Sequence, residues 1–212
     1  MGLEHSGTPE WRDGLPARAL TLSFISIGWS IISGAVAIIA GIKSGSLGIF
    51  GLGLNITGDL VGSVGLVWRF RTERSRPHHG HRAEARVSLL VAMTLSLVAV
   101  TLSVAAISEL ATGSSAQNSV VGVAAAVGSA IVLAPLGYAK RQTGRSMHSH
   151  ALIGDGTLSM IGAVLGLAAL GGLLANSYLG WWWADRTVAL VMAGVAGLEA
   201  ARVLRKRSLI GS

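Results

Sequence analysis

Two stretches far apart in the chain place an acid inside an apolar run. In "GLGLNITGDL", residues 51–60, Asn55 and Asp59 are four apart, so on a helix they share a face one turn apart. In "HALIGDGTLSMIG", residues 150–162, Asp155 and Ser159 repeat that spacing. Each pair offers one carboxylate and one neutral oxygen. Two acids on separate helices balance the charge of one divalent cation, and oxygen donors suit hard cations and are accepted by zinc. Without metal, each acid can carry a proton instead, which is the basis of metal–proton exchange.

The surroundings make these acids notable. Hydrophobic residues are 51% of the chain and charged residues only 13%, about half the share usual in a soluble domain. Mean hydropathy is +0.60. The composition implies an integral, multi-pass membrane protein in contact with lipid. A carboxylate at the centre of a bilayer costs about 2.5–3.5 kcal/mol, so Asp59 and Asp155 must face a bundle interior or a water-filled cavity. Asn55 alone is accounted for by an interhelical hydrogen bond, worth about 0.6 kcal/mol on average. The chain has no cysteine, which excludes a disulfide framework and a thiolate metal site. Its net charge of +7 comes from arginines clustered between apolar runs, so it speaks for membrane topology and not for nucleic acid.

The elements that must position these residues are six apolar runs, each long enough to cross a bilayer at roughly 20 residues. They lie near 18–42, 46–70, 87–111, 118–139, 150–175 and 182–204, and predict an all-α bundle of six transmembrane helices. Residues 1–17 read as a loose N-terminal tail with no signal peptide, and 205–212 as a short basic C-terminal tail that leaves no room for a soluble domain. Arg69, Arg71, Arg74, Arg76, Arg82 and Arg86 follow span two. Lys140, Arg141 and Arg145 follow span four, and Arg205, Lys206 and Arg207 follow span six. "TGSSAQ" and "ANSYLGWWWAD" carry no Lys or Arg, and the first connection only Lys43. The bias alternates, so both termini are expected on the cytoplasmic side, in a bacterial cytoplasmic membrane. Trp181, Trp182 and Trp183 fit an aromatic belt at the outer interface. Most of the 29 glycines read as helix-packing positions.

Other polar residues are weighed against these. His150 precedes Asp155 by five residues, which turns it about 140° off that face; it reads first as an interfacial histidine and second as a ligand. The loop "RSRPHHGHRAEAR" holds His78, His79 and His81, a density that can bind zinc or copper, though the arginines around it oppose a cation. Glu109, Asp185 and Glu199 lie near span ends and read as boundary charges within reach of water, with Glu199 and Arg202 spaced to pair. Pro135 is expected to kink span four.

With these features together, "GSLGIFGLGLNITGDLVGSVGLVWRFR", "HALIGDGTLSMIGAVLGL" and "GWWWADRTVALVMAG" resemble the transmembrane domain of the cation diffusion facilitators, over about residues 18–204. The closest resemblance is to a short branch without the cytoplasmic C-terminal domain, which includes small bacterial transporters and a vesicular zinc-transporting membrane protein. The resemblance implies export of zinc or a related divalent ion by alternating access, in exchange for protons, from a homodimer, with no organic cofactor. The family's span-two ligands, two acids four apart, map onto Asn55 and Asp59, and its span-five acid maps onto Asp155. Its other span-five ligand falls on Ala151 or a neighbour, where this chain offers only the misplaced His150. Asn55 thus stands where an acid is expected. Water, Ser159 or His150 would have to complete a site short of the usual four zinc ligands, and an oxygen-rich site would favour manganese or magnesium.

Two other classes of function remain open on the sequence. One is a membrane-embedded enzyme on a repurposed transporter scaffold, with the two acids as general acid and base toward a lipid-like small molecule. The other is a membrane partner that transports nothing, which would explain the missing ligand most simply.

Overall fold

The computed structural model describes residues 15–75, 80–112, 119–147 and 149–210. Among them the chain forms six helices and no strand: α1 (Leu15–Ser44), α2 (Leu47–Ser75), α3 (Gly80–Thr112), α4 (Val120–Ser146), α5 (His150–Leu179) and α6 (Ala184–Ile210). Segments within α1 to α5 are long and apolar enough to cross a membrane. The sixth expected span lies in α6, whose sequence from Thr187 to Leu198 carries no charge and which packs along α3.

Several helices outrun the apolar segments that announce them. The helix α3 starts seven residues before its expected span, and α4 continues through Pro135 and seven residues past Ala139 to Ser146. Residues 140–146 read in the sequence as the start of a basic loop are therefore helical. Likewise α6 carries Arg205, Lys206 and Arg207 on to Ile210.

The ends are set by local chemistry. Gly45 takes a φ of +64° after α1, and the Ser46 amide bonds back to the Gly41 carbonyl at 3.0 Å, the Schellman pattern that suits glycine. Ser46 then caps α2, its Oγ accepting from the Ile49 amide at 3.2 Å. Ser119 and Ser149 cap α4 and α5 in the same way. Gly180, at φ +66°, closes α5.

Packing is closest within the hairpins α1–α2 and α4–α5 and between α3 and α6. Small residues allow it. A Cβ on Gly41 would stand 2.5 Å from the Phe50 backbone nitrogen, and one on Gly137 would stand 2.7 Å from the Gly156 carbonyl oxygen. Helix α2 touches every other helix and is the axis of the bundle. The apolar core runs through Ile49, Leu52, Ile56, Leu102, Leu133 and Leu173.

Outward faces are apolar too. On α3, Leu90, Met93, Leu97, Val100, Val104 and Ile107 are all exposed, a continuous stripe at helical spacing. Water would not tolerate a patch of that extent on a monomer, whereas lipid does. Serines, in contrast, turn inward: Ser23, Ser26, Ser30 and Ser33 line the buried face of α1. The bundle is apolar outside and encloses a polar cluster beside its apolar core.

Candidate cation site

The polar cluster is assembled from four helices. Asp59 and Ser63 come from α2, and Asp155 and Ser159 from α5. Ser26 and Ser30 come from α1, and Lys140 from α4. Helix spacing explains why these residues meet. Ser26 and Ser30, Asp59 and Ser63, and Asp155 and Ser159 are each four apart, so each pair stands on one face. On α4, Ser129, Leu133, Leu136, Lys140 and Thr143 are all buried, at steps of four and three along one face. Lys140 therefore points inward by register.

Lys140 Nζ sits between the two carboxylates, 2.7 Å from Asp155 Oδ2 and 3.8 Å from Asp59 Oδ1. It donates to Ser26 Oγ at 2.7 Å, Ser63 Oγ at 3.1 Å and Ser159 Oγ at 3.2 Å. Those serines pass the contact on. Ser26 donates to Asp59 Oδ2 at 2.8 Å and Ser159 to Asp59 Oδ1 at 2.6 Å. Ser63 donates to Asp155, with both carboxylate oxygens at 3.2 Å. Ser30 adds a donor to Asp59 Oδ2, also at 3.2 Å. Lys140 is 0% exposed, Asp59 2% and Asp155 4%. Ions this deep persist only when paired and hydrogen-bonded, and here all three are.

Glycine makes room for the acids. A Cβ on Gly62 would fall 2.8 Å from Asp155 Oδ1, and one on Gly162 would fall 2.9 Å from Asn55 Oδ1. Asn55 itself is buried, and its Oδ1 accepts no hydrogen bond. It lies one turn from Asp59 and is not bonded to Lys140. The structure thus brings Asp59, Asp155 and Ser159 into one network and leaves Asn55 beside it. His78 and His79 lie outside the described residues, as do the side chains of His81 and His150.

Lys140, Ser26, Ser30 and Ser63 are the members that sequence reasoning passes over. The sequence places Lys140 among the basic loop residues, and the structure corrects that: it belongs to the core. Asp185 is corrected as well. It is fully buried, not a boundary charge in water. Its Oδ1 accepts from Ser46 Oγ at 2.7 Å, and the Gly48 amide approaches both of its oxygens at 3.3 Å, so it anchors the start of α2 from the start of α6. Next to it, Arg186 reaches Glu109 at 3.0 Å. Glu199 and Arg202 pair at 3.0 Å, as their spacing suggests.

A helical bundle with an apolar exterior and two carboxylates converging on a buried lysine ammonium from separate helices defines an integral membrane protein with a charged cluster in its interior. The family described as "Cation efflux transmembrane domain" matches residues 23–210. The chain belongs to that family, whose members transport divalent metal cations.

Proposed function

We propose that this protein moves divalent metal cations, zinc or a related ion such as manganese, across a membrane. Transport runs by alternating access, out of the cytoplasm, with protons returning in exchange. We further propose that it works as a homodimer in a bacterial cytoplasmic membrane, both termini cytoplasmic, with Asp59 and Asp155 as the charged ligands. The observation that carries this reading is the convergence of Asp59 and Asp155 on one positive charge, inside a wall of serine oxygens. Ser159 supplies a neutral oxygen between the acids, and Asn55 a further one a turn away.

Each residue has a separable task. The two carboxylates balance a divalent charge in a medium where no single one would suffice. The serine hydroxyls replace lost hydration with oxygens already held in place, as hard cations require. Protons occupy the carboxylates when neither metal nor another cation does. The presence of Lys140 in the network favours one competing reading, a bundle closed by an internal ion cluster that transports nothing.

Uptake of zinc and manganese into vesicles reconstituted with the purified protein separates the two. Wild type should accumulate the ion. Asp59→Ala and Asp155→Ala should lose uptake while remaining monodisperse. Unchanged uptake in both variants, or none in the wild type, would sink the transport reading.

A further inference from the structure

We propose that Lys140 is a tethered cation that occupies the substrate site in the metal-free protein and is displaced when a divalent ion binds. This rests on the reading of Asp59 and Asp155 as substrate ligands, and adds to it a built-in competitor that sets how tightly the ion is held.

The shell around Lys140 Nζ is richer in oxygen than an ammonium needs. Four oxygens stand within 3.2 Å, from Asp155, Ser26, Ser63 and Ser159, and Asp59 Oδ1 follows at 3.8 Å. An ammonium has three N–H donors. Every partner is an oxygen, the ligand type that hard divalent cations also take. The ammonium therefore rests where such an ion would be coordinated.

Charge leads to the same conclusion. Asp59, Asp155 and Lys140 sum to −1 (two acids against one ammonium), all buried. Of the two acids, Asp155 alone lies within hydrogen-bond distance of Lys140. Asp59 is held by hydroxyls from Ser26, Ser30 and Ser159. One carboxylate is thus matched closely by charge, and the other by hydroxyl dipoles and an ammonium 3.8 Å away. A divalent ion between them matches both, provided the ammonium leaves. If it stayed, the cluster would become +1, and the ion would sit beside a like charge with little solvent to screen it.

The lysine has a way out. Lys140 is six residues from the last residue of α4, Ser146, about 9 Å along the axis. Lysine carries its ammonium on a flexible four-carbon stem, and lysines near helix ends carry their charge to the interface while the stem stays in apolar surroundings. A change of rotamer toward that end frees the oxygens and solvates the ammonium. Arginine, with a broader and more rigid head, would not fill the same shell.

The test uses the wild-type protein. It is exposed in detergent to an amine-acylating reagent, with and without saturating zinc, manganese or magnesium. Acylation of Lys140 is read by peptide mass spectrometry against Lys43, which is exposed. Calorimetry on the same sample reports whether the ion binds. Labelling of Lys140 relative to Lys43 should rise at least tenfold when the ion is bound. Bound ion with Lys140 still protected overturns this inference and leaves the transport reading standing. No binding of any of the three ions overturns both. A second measurement is the affinity of Lys140→Met, which keeps the stem and removes the charge. It should bind the ion at least tenfold more tightly than wild type, a gain that loss of a merely structural lysine would not produce. Equal or weaker binding by a folded Lys140→Met protein also counts against the proposal.

Discussion

Lys140 Nζ and Asp155 Oδ2 stand 2.7 Å apart, both buried, on adjacent helices α4 and α5. The contact joins a residue that the sequence presents as part of a basic loop to one that it presents as an intramembrane acid. It also fixes what each must do for the other. Neither charge is tolerable at that depth alone, and removing one partner of a buried pair typically costs about 3–5 kcal/mol because the other is left uncompensated.

Asp155→Ala should therefore lower the thermal stability of the detergent-solubilised protein, by no more than the lower end of that range because Lys140 keeps Asp59 at 3.8 Å. Adding Lys140→Met should then cost less than Lys140→Met costs in the wild type, because its 2.7 Å contact with Asp155 is already gone. Thermal unfolding of the wild type, both single variants and the double variant forms the cycle that isolates the coupling. A double variant whose loss equals the sum of the two single losses would show that the pair is not coupled.

Gly62→Ala should disturb the site through shape. The added methyl would fall 2.8 Å from Asp155 Oδ1, too close for any real contact, so the carboxylate must move. Overpacking of this kind costs about 1–3 kcal/mol. Ion uptake should fall with stability. Gly154→Ala is the control, since nothing lies within 4 Å of its Cβ; it should be neutral or slightly stabilising. Equal behaviour of the two variants would mean that contact with Asp155 is unimportant.

Asn55→Asp should tighten divalent binding. Asn55 is buried beside the network with its Oδ1 unbonded, and a carboxylate there would add a negative charge facing α5 next to Asp59. We expect at least a tenfold gain in affinity, or about 1.4 kcal/mol, measured by calorimetric titration. Unchanged or weaker binding would place Asn55 outside the ion's coordination.

Ser46→Ala should weaken the bundle while leaving the ion site intact. Ser46 caps α2 and donates to Asp185 at 2.7 Å. Loss of a cap costs about 0.5–2 kcal/mol, visible as a lower melting temperature. Asp59 is thirteen residues further along, about 20 Å by helical rise, so ion affinity should not change. A fall in affinity as large as that from an Asp59 variant would contradict this separation of roles.

The helices were legible because apolar runs of bilayer length leave few alternatives, and Asp59 and Asp155 because an acid in such a run demands a reason. Lys140 was hidden by the same logic. Next to Arg141 and Arg145 it reads as a topology signal, and hydropathy ends the span before it. The clue was the register: Lys140 stands four residues after Leu136 and seven after Leu133, on their buried face. Ser23, Ser26, Ser30 and Ser33 carried a similar clue, small polar residues at steps of three and four inside an apolar helix. Which helices bring their polar faces together depends on packing across the bundle, such as the meeting of Gly137 and Gly156, and no single segment reveals that. Asp185 was misread for a related reason, since its partners Ser46 and Gly48 are far away in sequence.

The most direct measurement of the central claim is calorimetric titration of zinc, manganese and magnesium into the purified wild type and into an Asp59→Asn/Asp155→Asn variant. The asparagines keep the size of the side chains and remove both charges. If the two acids form the cation site, at least one of these ions binds the wild type saturably, with one ion per chain lost in the variant. Binding of the same ion with unchanged stoichiometry and affinity in the variant would place the cation elsewhere and contradict the assignment.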